Sequence, residues 1–461
     1  MKLRRNAAVV AAVLAITSSA AAMPASAGTN IGGGGASFIA NAMEKCTSLY
    51  NGNSTYNTGG DIVTYSSVGS GAGKTGFAST GVGGAGTYKF GGTESKYSSG
   101  APSGFVYVPI IGGPIAVAYK LDGVTPAGQP IKLTGELVAK IFAGQIKMWN
   151  DPAIAAVNKG TVFAKKVNGT AEGVTVTASK VGANASFKID VNANSQARFK
   201  GKKITVNVST NGITSKVGAS KVVAKTLTLA VKHKVGQVYT IKAGIRSIGT
   251  FALAKVTVGK TLTFPATPIR VAYRSDTSGT TNNFANYLNM TNPSIWTKPT
   301  NDAFTTAFPG SIPTDGTFQG AKGNDGVSNY VRDNNGAITY AELSFVKERG
   351  LGAIAVQNNA GLFMDPTVDA SANFFTTAEV AADGLATLDY KTKDEGAYLI
   401  NAIAYGLAGT AANATNAAVK SYLNFFLTQC APKEAAAINY TALKDAILAK
   451  ALAQVAKVNA G

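Results

Sequence analysis

The sequence predicts an α/β fold interrupted by a separate all-β module. Two observations carry this. Short apolar runs alternate with amphipathic stretches on either side of residues 161–265, whereas inside that segment apolar and polar residues alternate with period two. Charge divides the chain at the same place. Of a formal net charge of +19, residues 161–260 hold +15, from 17 Lys and Arg against only Glu172 and Asp190. The remainder carries +4, of which Lys2, Arg4 and Arg5 supply +3. The chain is a nearly neutral body with one strongly basic segment, and 461 residues suit two or three domains of ordinary size.

The first element is a targeting segment. Lys2, Arg4 and Arg5 precede an alanine-rich apolar run, and Ala25-Ser26-Ala27 forms a cleavage pattern before Gly28. Residues 1–27 read as a secretory signal peptide. The apolar run is shorter than the roughly 20 residues a spanning helix needs. No Cys stands near the cut to carry a lipid anchor. A secreted protein of the periplasm or cell surface is expected.

Residues 63–65, 106–108 and 115–118 read as buried strands. Residues 38–50 and 135–143 read as amphipathic helices, the second capped by Thr134. Within the basic segment, residues 174–177, 187–191, 204–208 and 227–232 alternate in the manner of short antiparallel strands with one wet face. They imply a β-sandwich-like module over 161–265. Beyond it come a strand at 270–273, a helix at 280–288 and two closing helices at 416–427 and 441–458. Strands alternating with helices imply a mostly parallel sheet.

Two Cys and one His exclude a disulfide-dense scaffold and a zinc site built from several Cys or His. His233 lies between Lys232 and Lys234, which makes it a poor ligand or base, and it reads as a solvated strand residue. The stretch from Gly69 to Thr75 (GSGAGKT) lacks the first glycine of a nucleotide loop, because that position is Val68. No metal or cofactor is expected. Cys46 and Cys430 are the only thiols, and secretion predicts that they pair. Three places combine small hydroxyl or glycine residues with the start of a helix: GGGGASF (32–38), SSVGSGAG (66–73) and RSDTSGTT (274–281). Unpaired N–H groups and a partial positive charge make helix starts suitable for anions.

Those three stretches, with VPIIGGPIAVAY (108–119) and KGNDG followed by GAITY (322–326 and 336–340), resemble the phosphate-binding proteins that feed the high-affinity phosphate ABC importer. The resemblance covers residues 30–158 and 266–458. It implies a two-lobed periplasmic-binding-protein fold with a hinge and an interlobe cleft. Lobe 1 would comprise 28–115 and 365–461, and lobe 2 would comprise 116–160 and 266–364. Both Cys then fall in lobe 1. Ser37 and Phe38 match the first phosphate donors, Ser70 the second, and Arg274, Ser278, Gly279 and Thr280 the third. Asp276 matches the carboxylate that orients the arginine. The family's Asp acceptor has no identical counterpart, and Glu94 is its substitute. The implied function is capture of inorganic phosphate and its delivery to a membrane permease, by a monomer without enzymatic activity.

The basic module is not explained by the resemblance. Its few aromatics (Phe163, Phe187, Phe199, Tyr239 and Phe251) point to charge-driven binding rather than base stacking. An alternative role follows: a surface or adhesion protein whose module binds an anionic polymer. The module as a spacer with solvated lysines is the simpler reading.

Overall fold

A computed structural model of the chain describes residues 28–79, 88–159 and 261–461, together with the backbone of eight strands between 162 and 258. The signal peptide, the glycine-rich stretch 81–86 and His233 lie outside the described residues.

The two apolar runs at 106–108 and 115–118 are parts of one strand, Phe105–Tyr119, in which every residue from Val106 to Ala118 is buried. The unbroken apolar run is what burial on both faces requires. Gly112, Gly113 and Pro114 do not interrupt it. Pro109, which has no N–H to donate, sits opposite Tyr405 at the edge of a register shift that leaves Ile110 without a partner residue in Asn401–Gly409.

This strand holds the molecule together. Its first ten residues, from Phe105 to Pro114, pair with Asn401–Gly409, and from Ile115 onward it pairs with Ala337–Glu342. One curled sheet therefore runs through both lobes. Its order is Phe318–Ala321, Arg270–Arg274, Ala337–Glu342, Phe105–Tyr119, Asn401–Gly409, Phe90–Thr93, Asn30–Gly35, Ile62–Ser67. The sheet is mixed rather than mostly parallel. Each outer part is parallel, but the central strands pair antiparallel because the chain crosses between lobes and returns.

Helix starts follow local chemistry. Thr134 caps Gly135–Phe142 by accepting the Leu137 N–H, and Ser278 caps Gly279–Thr291 by accepting the Thr281 N–H. The last helix begins at Asp445 rather than 441. Thr441 instead exchanges two backbone hydrogen bonds with Gly112, at 3.0 and 2.8 Å, as an isolated bridge, and Lys444 before the helix is extended. Cys46, on Ala40–Asn51, and Cys430 form a disulfide.

The eight strands of the basic segment form a five-stranded and a three-stranded antiparallel sheet. The chain leaves the body after Asn158 and re-enters at Leu262, whose N–H donates to the Asn158 carbonyl at 3.0 Å. Leu262 and Phe264 are buried in the main core. Exit and entry are therefore adjacent. Among the described residues, no helix is long and apolar enough to cross a membrane.

Candidate functional site

The strand Ile62–Ser67 delivers the chain to Ser70, first residue of the helix Ser70–Ala78. Gly69 makes this turn at φ 95°, and a Cβ there would lie 2.4 Å from Asp276 Oδ2. Glycine is thus required twice over, by conformation and by the approach of the opposite lobe. From that lobe the strand Arg270–Arg274 ends in a turn that starts the helix Gly279–Thr291. A Cβ on Gly279 would lie 2.1 Å from Glu94 Oε2.

Between these helix starts lies a buried polar cluster. Ser70 Oγ donates to Glu94 Oε2 and accepts the Gly279 N–H at 3.0 Å. Thr280 Oγ1 lies 3.5 Å from Glu94 Oε1 and 3.4 Å from Arg274 Nη1. The other side of the Arg274 guanidinium is committed to Asp276, with Nε to Oδ1 at 2.7 Å and Nη2 to Oδ2 at 2.5 Å. Such a two-point fork fixes the plane of the guanidinium. Arg274 is only 2% exposed, so its charge acts in a poorly screened setting.

Burial sets the protonation of this cluster. Desolvation raises the Glu94 carboxyl to about 7, against the Ser70 hydrogen bond and the Arg274 charge that lower it. Asp276 goes the other way. Burial opposes its ionisation, but the Arg274 fork, the Arg274 charge and the Gly323 N–H together hold it below the usual carboxylate range. The cluster thus pairs one permanent ion pair with one carboxyl that titrates near neutrality.

The structure brings Ser70, Glu94, Arg274, Asp276, Gly279 and Thr280 into this one cluster. Ser278 is fully buried beside it, its Oγ serving as the helix cap. Ser37 and Phe38 are also buried; Ser37 meets the Gly323–Asn324 turn, whose Gly323 N–H binds Asp276 Oδ1 at 3.0 Å. The Phe38 carbonyl accepts the Tyr440 hydroxyl at 2.6 Å.

Sequence reasoning missed the residues that join the lobes. Lys74 Nζ lies 2.7 Å from Asp302 Oδ2 and also donates to Ser95 Oγ and the Lys96 carbonyl. Lys74, the lysine of the nucleotide-like stretch, thus forms an ion pair with a residue 228 positions away. Asn283 Nδ2 donates to the Glu94 carbonyl at 2.8 Å, and the Gly71 N–H to the Thr277 carbonyl at 3.0 Å. These bonds join residues 71–94 directly to residues 277–302. The local signal for Lys74 was a single cation in a helix otherwise without charge, SGAGKTGFA. Among the described residues, no group of three or more His, Cys, Asp or Glu is placed to hold a metal ion.

The chain matches the model of a PBP superfamily domain over residues 20–234 and 174–429. It is 24% identical over 379 residues to the phosphate-binding protein PstS of Xylella fastidiosa (strain Temecula1), covering 81% of this chain and 70% of that one. It is 25% identical over 359 residues to phosphate-binding protein PstS 3 of Mycobacterium leprae, covering 74% and 64%. A third relative, PstS of Haemophilus influenzae, is 26% identical over 347 residues, covering 75% and 67%. The chain thus spans roughly two thirds of these relatives' own lengths. Among solved structures it is similar to a high-affinity periplasmic phosphate-binding protein (PfluDING) bound with phosphate, at a TM-score of 0.54 and 17% identity, covering 92% of this chain and 93% of that one. A phosphate-binding protein from Stenotrophomonas maltophilia gives a TM-score of 0.51 at 15% identity over the same shares. The chain belongs to the PBP superfamily, and its two-lobed architecture is that of the periplasmic phosphate-binding proteins.

Proposed function

We propose that the chain is a secreted receptor that captures inorganic phosphate in the interlobe cleft and hands it to the permease of an ABC importer. The observation that carries this is the carboxyl of Glu94, set among donors from both lobes: Ser70, Thr280 and the edge of Arg274 that faces away from Asp276. The relatives named above are phosphate-binding proteins, which supports the same reading and a receptor rather than an enzyme. The expected ligands are Ser37, Phe38, Ser70, Glu94, Arg274, Ser278, Gly279 and Thr280.

The chemistry follows from protons. Near neutral pH phosphate keeps at least one proton, whereas sulfate keeps none. An ionised Glu94 accepts a hydrogen bond from the phosphate proton but opposes a bare sulfate oxygen, a contact that costs on the order of several kcal/mol. Neutral hydroxyl and N–H donors spread the anion's remaining charge, and Arg274 supplies the charge-assisted contact. Lobe contact excludes water and strengthens each bond inside.

Titration calorimetry of the mature, phosphate-stripped protein tests this. Micromolar or tighter phosphate binding with little sulfate binding is the expected result. Comparable binding of both ions, or of neither, rejects the reading. No turnover of a chromogenic phosphomonoester is expected.

A second role for the basic module is favoured by its net +15. We propose that it binds an anionic polymer while the body, as a monomer, binds phosphate. Deleting residues 161–260, with Leu262 and Phe264 retained for the core, should spare phosphate binding and abolish salt-sensitive binding to polyphosphate. Unchanged polyphosphate binding by the deletion would leave the module as a spacer.

A further inference from the structure

One fully buried polar side chain at the cleft has no role in the reading above. Asn324 opens the second-lobe helix Gly323–Asp333 and is 0% exposed. Its backbone N–H lies 3.1 Å from Ser37 Oγ, and its Nδ2 lies 3.0 Å from the same oxygen. Its Oδ1 accepts the Glu342 N–H at 3.0 Å, which orients the amide so that Nδ2 faces Ser37.

A serine hydroxyl has two acceptor lone pairs and one proton. Asn324 occupies both lone pairs with N–H donors. The one hydrogen-bonding capacity left to Ser37 is to donate.

We infer that Asn324 is a positioning residue that turns Ser37 into a dedicated donor to the bound anion, and that it does so only when the lobes meet. The inference rests on the phosphate reading. Ser37 belongs to the first lobe and Asn324 to the second, 287 residues apart. With the lobes apart, the Ser37 hydroxyl is free to donate or accept. On contact, two bonds into its oxygen commit the proton outward and strengthen the bond it gives. The preceding residue acts on the opposite partner: the Gly323 N–H binds Asp276, the carboxylate that holds Arg274. Two successive amides of one turn therefore prepare a first-lobe donor and the second-lobe cation together. A group that can only donate suits an unprotonated oxygen, and Glu94 serves the protonated one, so the pair fixes which way the anion lies.

A double-mutant cycle with inorganic phosphate tests this by calorimetry on the mature protein, with thermal unfolding to confirm that each variant is folded. Ser37→Ala and Asn324→Ala should each weaken binding about tenfold, whereas Asn324→Ala in the Ser37→Ala background should cost less than about twofold more. Alanine also orphans the Glu342 N–H, so Asn324→Asp provides the variant that keeps shape and acceptor. It faces Ser37 with an oxygen, draws the hydroxyl proton away, and should weaken binding more in the parent than in the Ser37→Ala background. Equal losses in both backgrounds overturn the inference and leave the phosphate reading standing. Unchanged affinity in Ser37→Ala also overturns it. A parent that binds no phosphate overturns the reading and the inference with it.

Discussion

Lys74 and Asp302, 228 residues apart, form an ion pair at 2.7 Å, with side chains only 10% and 16% exposed. Ser95 Oγ, at 3.0 Å, and the Asn282 amide, at 2.8 Å, complete the shell of the Asp302 carboxylate. Under the lobe division that the resemblance implies, the pair bridges the two lobes and would favour the closed arrangement. Removing one partner leaves the other charge poorly solvated, a cost of a few kcal/mol set against closure. Asp302→Asn and Lys74→Met should each weaken phosphate binding about tenfold, mainly through faster dissociation. Stopped-flow release of phosphate measures this, and parent-like release would remove the pair from any role in closure.

Arg274→Ala should reduce phosphate affinity at least tenfold, roughly 1.4 kcal/mol or more. Arg274→Lys should recover little, because an ammonium cannot grip both oxygens of Asp276 while presenting a second edge to an anion. Calorimetry of both variants checks the claim. Recovery by lysine would show that charge alone suffices.

The raised Glu94 carboxyl gives selectivity a pH dependence. Above about 7 the group is mainly an anion, which accepts from protonated phosphate and opposes sulfate. Below it the carboxyl is mainly protonated and can donate to a sulfate oxygen. Preference for phosphate over sulfate should therefore narrow as pH falls through about 7. In Glu94→Gln it should be small and flat with pH. Competition of sulfate for labelled phosphate at several pH values reads both effects, and a parent preference that is flat with pH would contradict them.

Glu342 lies fully buried where the long strand passes between lobes, paired in register with Ile115. Burial raises its carboxyl to about 8, although hydrogen bonds from Ser344 lower it. The folded state thus holds this proton more tightly than the unfolded chain does. Its contribution is fully present below the ordinary carboxyl value and is lost as pH rises through about 8. Glu342→Gln, which keeps an acceptor and carries no charge, should gain stability relative to the parent across that interval, by up to roughly 1.4 kcal/mol per pH unit. Denaturant midpoints at acid and alkaline pH test the sign.

The Cys46–Cys430 disulfide joins two segments separated by 384 residues. Under the lobe division that the resemblance implies, it does not cross between lobes. Replacing both with serine should cost roughly 2–4 kcal/mol of stability. Phosphate affinity should stay within about twofold of the parent at a temperature where the variant is folded. A melting curve and a binding isotherm on the same sample separate the two effects.

Local chemistry made much of this legible. Thr134 and Ser278 cap the helices they precede, and the alternation in 174–177, 187–191, 204–208 and 227–232 matches strands. The elements misread were those governed by distant partners. Residues 106–108 and 115–118 looked like two strands because glycine and proline between them ordinarily punctuate, yet pairing with 401–409 carries the strand through. Residues 441–444 looked helical by composition, but two bonds tie Thr441 to Gly112 in an isolated bridge.

The same division holds for the site. By itself, the sequence determined the α/β body, the basic segment and the small-residue helix starts, because capping, glycine turns and alternation depend on neighbours in the chain. Only the tertiary structure decided that Lys74 meets Asp302, that Asn324 fills both lone pairs of Ser37, and that Glu94 titrates near neutrality. Each of these depends on residues about 180 or more positions apart being brought together and stripped of water, and neither proximity nor desolvation is a property of a local stretch.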